Sequence, residues 1–230
     1  MPDMPDPYDW PHLLSLAVHE FRTPASIIAG YLRMLERDAN PPLADRHRKL
    51  VSEAARSCAR LVEIIAELSD VSKLESGALP LARRPFDLFA CVSDAAGGVV
   101  EGRDRGVGIE VRGAAAGAPV AGDEARLSAA IGAILRAVAR EQPGPCTVAV
   151  ERRLAPLGNG TTSAVIVIAA DAAVQSAHEA PAGAFDEFRG GLGLALPIAR
   201  RVIELHGGRV WSPAGSGPRG AVLMSVPLSE

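Results

Sequence analysis

Three side chains near the N-terminus have the types and spacing for catalysis: His19, Glu20 and Thr23. An exposed imidazole offers a lone pair for nucleophilic attack. A neighbouring carboxylate can take a proton, and a hydroxyl one helical turn on can orient a water. Exposure depends on helix phase. From Trp10 the apolar positions fall at Leu14, Ala17, Phe21, Pro24, Ile28, Tyr31 and Leu35, the spacing of a heptad seam. With Ala17 and Phe21 as core positions, His19 turns outward and Thr23 shares its face. Glu20 points roughly 100° around the helix. The competing reading is a solvated surface histidine.

The elements that must hold these residues follow from the pattern. Pro24 sits inside the first helical run and is expected to kink it, because it lacks a backbone donor and crowds the preceding turn. Asn40-Pro41-Pro42 breaks the run. A second run extends from about Leu43 to Glu75, with its seam at Leu50, Ala54, Leu61, Ile64, Leu68 and Val71 and with Ser57 as a polar exception. Gly77 and Pro80 stop it. Two long amphipathic helices joined by a short loop form an antiparallel hairpin. A lone hairpin has too little core, so a homodimer forming a four-helix bundle is expected. His47 falls on the second seam and reads as a bundle histidine. His12 reads as solvated.

The string His19-Glu20-Phe21-Arg22-Thr23-Pro24 resembles the H-box of the sensor histidine kinases of two-component signalling, and the hairpin resembles their dimerisation and phosphoacceptor domain. The resemblance implies that His19 is the phosphoacceptor, that Glu20 accepts the ring proton from the other nitrogen, and that Thr23 orients water when the domain dephosphorylates a response regulator.

Beyond a linker at 77–85 the signals alternate between strand and helix. Strands are expected at Phe86–Leu88, Gly108–Arg112, Pro119–Gly122, Val148–Leu154 and Val165–Ala170, the last apolar enough to be central. Helices are expected from Phe89 to about Val100, from Asp123 (as N-cap) to Glu141, and over Leu194–Leu205, which Gly207-Gly208 ends. Arg209–Ser212 and Ala221–Pro227 complete a hairpin. His178 falls in a loop and His206 at a helix end. This order resembles the ATP-binding domain of histidine kinases, the GHKL or Bergerat fold. Phe185-Asp186-Glu187-Phe188 resembles the F-box. Gly190-Gly191-Leu192-Gly193-Leu194 resembles the second glycine box, and Gly122-Asp123-Glu124-Ala125-Arg126-Leu127 the entry to the N-box helix. The fold class is therefore α+β: an N-terminal helical hairpin dimerising into a four-helix bundle, then a Bergerat-type α/β sandwich. The divisions are a flexible tail at 1–8, a phosphoacceptor hairpin at 9–76, the linker, and an ATPase-like domain at 86–230.

The nucleotide motifs depart from that family. Ala133 and Ala137 stand where its N-box asparagines do, and Mg²⁺ needs oxygen ligands that alanine lacks. Arg140 keeps a positive charge for a phosphate. Of the first glycine box only Asp171 survives, as an acceptor for an adenine amino group. Both glycines are replaced in Asp171-Ala172-Ala173-Val174-Gln175. The lid between the F-box and the second glycine box is missing, and Ala195 replaces a further glycine. Asp171, Phe188, Gly191, Gly193 and Arg140 thus outline a degenerate ATP site without a firm cofactor, and no other metal site is expected. Autophosphorylation by ATP is expected to be weak or absent, since phosphoryl transfer depends on positioning and charge neutralisation. Three functions follow: a relay phosphotransferase working between receiver domains, an ATP-dependent kinase with an unusual site, or a response-regulator phosphatase or dimeric adaptor. With few residues before Trp10, the signal is expected from a partner.

Composition narrows the classes. The chain has 230 residues, 48% hydrophobic, with a net charge of −3 and 4% aromatics. That supports a packed core and gives no general affinity for nucleic acid or anionic membrane. No run approaches a membrane span, and the acidic, Pro-rich start is not a signal peptide. Cys58, Cys91 and Cys146 read as buried small hydrophobes in a reducing cytoplasm. Trp10 and Trp211 read as packing residues, and Arg83-Arg84 and Arg200-Arg201 as solvated charge.

Overall fold

The structure is a computed structural model that describes residues 10–37, 43–77, 80–156, 162–187, 189–214 and 220–229. The tail expected at 1–8, the Asn40-Pro41-Pro42 break and Phe188 lie outside the described residues. The chain divides into two compact units, Met1–Pro80 and Leu81–Glu230.

The first unit is a helical hairpin of α1 (Trp10–Arg37) and α2 (Asp45–Glu75). Helix α1 continues through Pro24. Proline has no N–H, so the carbonyl of Glu20 loses its intrahelical donor. The two helices meet along Val18, Ala25 and Ile65, with Leu68 packed against them. The Cys58 thiol donates to the carbonyl of Ala25 at 3.4 Å, and the Ser72 hydroxyl to that of Pro11 at 2.7 Å.

This contact line is one residue out of step with the expected seams. Val18 and Ala25 are buried, rather than Ala17 and Pro24, and Cys58, Ile65 and Ser72 rather than Ser57, Ile64 and Val71. One residue is about 100° of helix rotation. Much of the expected seam is consequently a second, outward stripe: Phe21 is 56% exposed, and Ile28, Tyr31, Leu35, Leu50, Leu61 and Ile64 are exposed as well. Trp10 and His47 are exposed too, so neither packs within the single hairpin.

The second unit carries a six-stranded sheet in the order β2-β4-β5-β8-β7-β6 and a separate β1–β3 pair. The strands are β1 (Arg84–Asp87), β2 (Val107–Arg112), β3 (Pro119–Gly122), β4 (Cys146–Pro156), β5 (Thr162–Ala170), β6 (Ala182–Gly183), β7 (Arg209–Pro213) and β8 (Val222–Pro227). The helices are α3 (Leu88–Gly97), α4 (Glu124–Glu141), α5 (Val174–Glu179) and α6 (Ala195–Leu205). Strand β1 takes the last residues of the expected linker. The run Val165–Ala170 is central, as its apolar character requires, and pairs with β4 and β8.

Alternation along the strands separates two faces. Ala149, Val165, Val167, Ala169 and Leu223 pack under α5 through Val174 and Ala177. The opposite face is tied to α3 by Arg152, which pairs in register with Ile166. Its buried guanidinium donates to the carbonyls of Phe89 (2.8 Å), Arg112 (3.2 Å) and Gly113 (3.1 Å) and to the Ser93 hydroxyl (2.6 Å). His178 lies on α5, not in a loop. Cys58 and Cys91 are buried as expected, while Cys146 is half-buried. Burial pushes the Cys91 thiol up to about 11.

A polar joint fastens the start of this unit to two helix ends. Asp123 caps α4 by accepting from the Arg126 amide at 3.2 Å, and it accepts from the Ala82 amide at 3.2 Å. The Asp123 amide donates to His206 Nε2 at 2.9 Å, while His206 Nδ1 faces the Val202 carbonyl at 2.7 Å. Arg83 donates to the Leu205 carbonyl at 3.0 Å, so it is not simply solvated. Gly122 is required here: a Cβ would lie 2.5 Å from the His206 ring. Burial lowers the pKa of His206, helped by the neighbouring Arg83 and Arg126.

Candidate functional site

In the hairpin, the first turn of α1 after Val18 presents the pair His19–Glu20. The His19 side chain is 80% exposed and that of Glu20 is 69% exposed. His19 Nδ1 lies 3.5 Å from Glu20 Oε1. A ring proton on Nδ1 faces the carboxylate, and that tautomer leaves the Nε2 lone pair to solvent. Thr23, one turn on, is exposed. The outward phase read for His19 therefore holds even though the contact line is rotated, because residue 19 points away from both Val18 and the second stripe. On the same outer side Leu16 and Ile27 are 53% and 54% exposed. They follow the three- and four-residue spacing through Glu20 and Thr23.

In the second unit, Ala137, Arg140 and the glycine run meet at one end of α4, while Asp171 is held by a partner of its own. Ala133 and Ala137 are buried on α4 and offer no oxygen. The glycine run lies directly on that helix. Gly190 has φ +69°, and a Cβ on it would stand 2.8 Å from the Ala137 Cα. Arg140 reaches the carbonyl of Gly190 at 3.5 Å. The neighbouring Arg189 side chain is 6% exposed and grips the Glu141 carboxylate with two nitrogens, one of them Nε at 3.2 Å. Its third nitrogen donates to the carbonyl of Ala221 at 3.2 Å. This fork holds the glycine run against the end of α4. Gly191 and Gly193 also take positive φ, of +61° and +63°, and lead into α6.

Asp171 directly follows β5 and is ion-paired to Arg112, which also donates to Glu110 at 2.6 Å. The hydrogen bonds that Arg112 donates to the Glu110 and Asp171 carboxylates raise its pKa. The chain then enters a 3-10 turn at Asp171–Ala173 and α5, where Val174 and Ala177 pack on the sheet. A helix thus replaces the glycine loop that the resemblance leads one to look for. Arg112, Arg189 and Glu141 were not legible as site residues. Asp171 and Arg112 are 59 residues apart, and Arg189 and Glu141 are 48 apart, with no local pattern to join them. Arg200, read as solvated, bonds Glu187 at 2.6 Å and Glu204 at 2.8 Å.

Comparison with known proteins places these observations in a family context. Residues 12–77 match the His Kinase A (phospho-acceptor) domain. The probable sensor histidine kinase TcrY of Mycobacterium tuberculosis is 30% identical over 211 residues, spanning 87% of this chain and 42% of that protein. Among solved structures, full-length ShkA in complex with AMPPNP superposes with a TM-score of 0.69 at 20% identity, over 95% of this chain and 46% of that one. The Acinetobacter baumannii histidine kinase AdeS gives 0.57 at 18% identity, over 92% and 98%. The chain thus spans less than half the length of TcrY.

Proposed function

Because the chain belongs to the two-component histidine kinase family, we propose that it is a phosphorelay phosphotransferase working through His19, with ATP-dependent autophosphorylation weak or absent. The observation that carries this reading is the packing of Gly190 on Ala137. The glycine run occupies the space next to the position where the family's metal-ligating asparagine would stand. The residues present do not fit Mg·ATP: Ala133 and Ala137 supply no ligand, Arg189 ties the glycine run to Glu141, and Asp171 is engaged by Arg112.

The phosphoacceptor, by contrast, is complete. His19 Nε2 attacks the phosphorus of a receiver's aspartyl phosphate. The P–N bond forms as the P–O bond to the aspartate breaks, and the aspartate leaves as a carboxylate. The Nδ1 proton passes to Glu20. The reverse sequence delivers the phosphoryl group to a second receiver. Leu16 and Ile27, exposed on the His19 side, supply the apolar contact that a docked receiver needs. The second stripe, with Phe21, Ile28 and Tyr31 on α1 and Leu50 and Leu61 on α2, supports a homodimer in which two hairpins close a four-helix bundle.

No helix among the described residues is long and apolar enough to cross a membrane. A cytoplasmic site of action, where receiver domains are met, is part of the proposal. The exposed Thr23 favours a second activity of the same face, receiver dephosphorylation.

The test is phosphoryl transfer from receiver domains labelled by a small-molecule phosphodonor. The reading expects acid-labile label on the wild-type chain and none on His19→Gln. A folded wild-type chain that takes label from no receiver of its own organism would overturn it.

A further inference from the structure

The sheet has an edge that no strand covers among the described residues. Strand β2 is its outer strand and pairs only with β4 among the described residues. The outer strand of a sheet presents every second residue's N–H and C=O to solvent, a template for another strand. Proteins usually guard such edges with charges or proline. Here the charges Glu110 and Arg112 share one side of the pleat with Gly108, while Val107, Ile109 and Val111 share the other. On that second side a groove of about 320 Å³ opens between β2 and the end of α3. Ala96 and Gly97 line one wall, and Gly108, Ile109 and Val111 the other. A Cβ on Gly97 would meet nothing within 4 Å, so the backbone can be approached closely on the α3 wall.

One end of the groove carries charge. Glu101 lines it, but its carboxylate lies 3.8 Å from Arg136 and 4.0 Å from Arg140. Arg103 also lines it, is exposed, and has no carboxylate partner among the described residues. It sits in the turn between Gly102 and Gly106, both in the left-handed region, which delivers the chain into the N-terminal end of β2. Beside it Val100 is 62% exposed.

We infer that this groove binds an extended segment of a partner protein, added to β2 as an antiparallel strand, with small aliphatic side chains and an acidic C-terminal end at Arg103. The walls carry no aromatic ring and set Ala96, Val99, Ile109 and Val111 beside the polar Ser93, Glu101 and Arg103, so they suit the small side chains and main chain of an extended segment better than a flat ligand. The direction follows from the charge. A strand antiparallel to β2 ends where β2 begins, which is the Arg103 end. A carboxylate there completes a charge-assisted hydrogen bond to an unpaired guanidinium. The inference is independent of the phosphotransfer reading.

The test is selection of random seven-residue peptides, displayed with free carboxyl termini, on the full chain and on Arg103→Glu. The expected winners alternate small aliphatic residues and end in an acidic residue or rely on the free carboxylate. Soluble copies should protect the Val107–Arg112 amides from hydrogen exchange. Arg103→Glu should weaken them about tenfold, the value of one lost charge-assisted contact. Enrichment that is equal on both proteins, winners whose protection maps outside β2, winners with the acid at the N-terminus, or no enrichment on the wild type would each overturn the inference.

Discussion

The proposed chemistry at His19 rests on an imidazole whose side chain is 80% exposed and whose Nδ1 lies 3.5 Å from Glu20. Removing the carboxylate should therefore slow transfer without abolishing it. Glu20→Gln is expected to cut the rate of label uptake from a phosphorylated receiver by about 100-fold, the lower end for loss of a positioned proton acceptor. Thr23→Ala is expected to leave that uptake intact while reducing dephosphorylation of the receiver. Rapid-quench time courses of the two reactions separate these effects, and equal losses in both would argue against the division of roles. The H-box was readable because its residues are contiguous and its phase follows from local periodicity. The fates of Asp171 and Gly190 were not readable. A guanidinium from another strand and a buried fork at Arg189 decide them, and such pairings exist only once the chain has folded.

At the scale of elements, sequence reading found α1, α2, α4, α6 and most strands close to their observed limits, because apolar periodicity and capping residues such as Asp123 are local signals. It missed α5 and β6. Alanines and a valine after Asp171 read as a ruined loop, whereas burial of Val174 and Ala177 against the sheet accompanies a short helix there. It also mistook which of two adjacent stripes joins the helices within one hairpin. A heptad pattern records all the apolar faces of a bundle helix and does not divide them among neighbours.

Two predictions belong here. Ala137 is fully buried under Gly190, so restoring the family's residue there cannot simply restore the family's site. Ala137→Asn is expected to lower the stability of the second unit by about 2 kcal/mol through overpacking, with no gain of ATP-dependent labelling. Denaturant melts and a labelling assay check both parts. The joint at His206 makes the second unit sensitive to acid. Its pKa is lowered in the folded state, so the unfolded chain binds more protons as pH falls below about 6.5, its ordinary value, and stability falls with it. Melts of wild type across that range should show the loss. His206→Gln should start from lower stability and show a flatter profile. An unchanged slope in the variant would assign the effect to other groups.

For the whole molecule, the proposed homodimer rests on the outward stripe of both helices, where exposed Phe21, Ile28, Tyr31, Leu50 and Leu61 form an apolar face that is costly to leave in water. Light scattering should give a dimer for the wild type, and Ile28→Glu with Leu61→Glu should give a monomer. A monomeric wild type would remove the four-helix bundle from the account. The central claim concerns the division of labour between the units: a working phosphoacceptor in one, and in the other a nucleotide-type fold whose glycine run rests on its own helix. The most direct test is incubation of the full chain with γ-labelled ATP and Mg²⁺, beside His19→Gln. The account predicts no label above that of the variant, from a chain shown to be folded. Acid-labile label that requires His19 would contradict it and show that the second unit opens to bind and spend ATP.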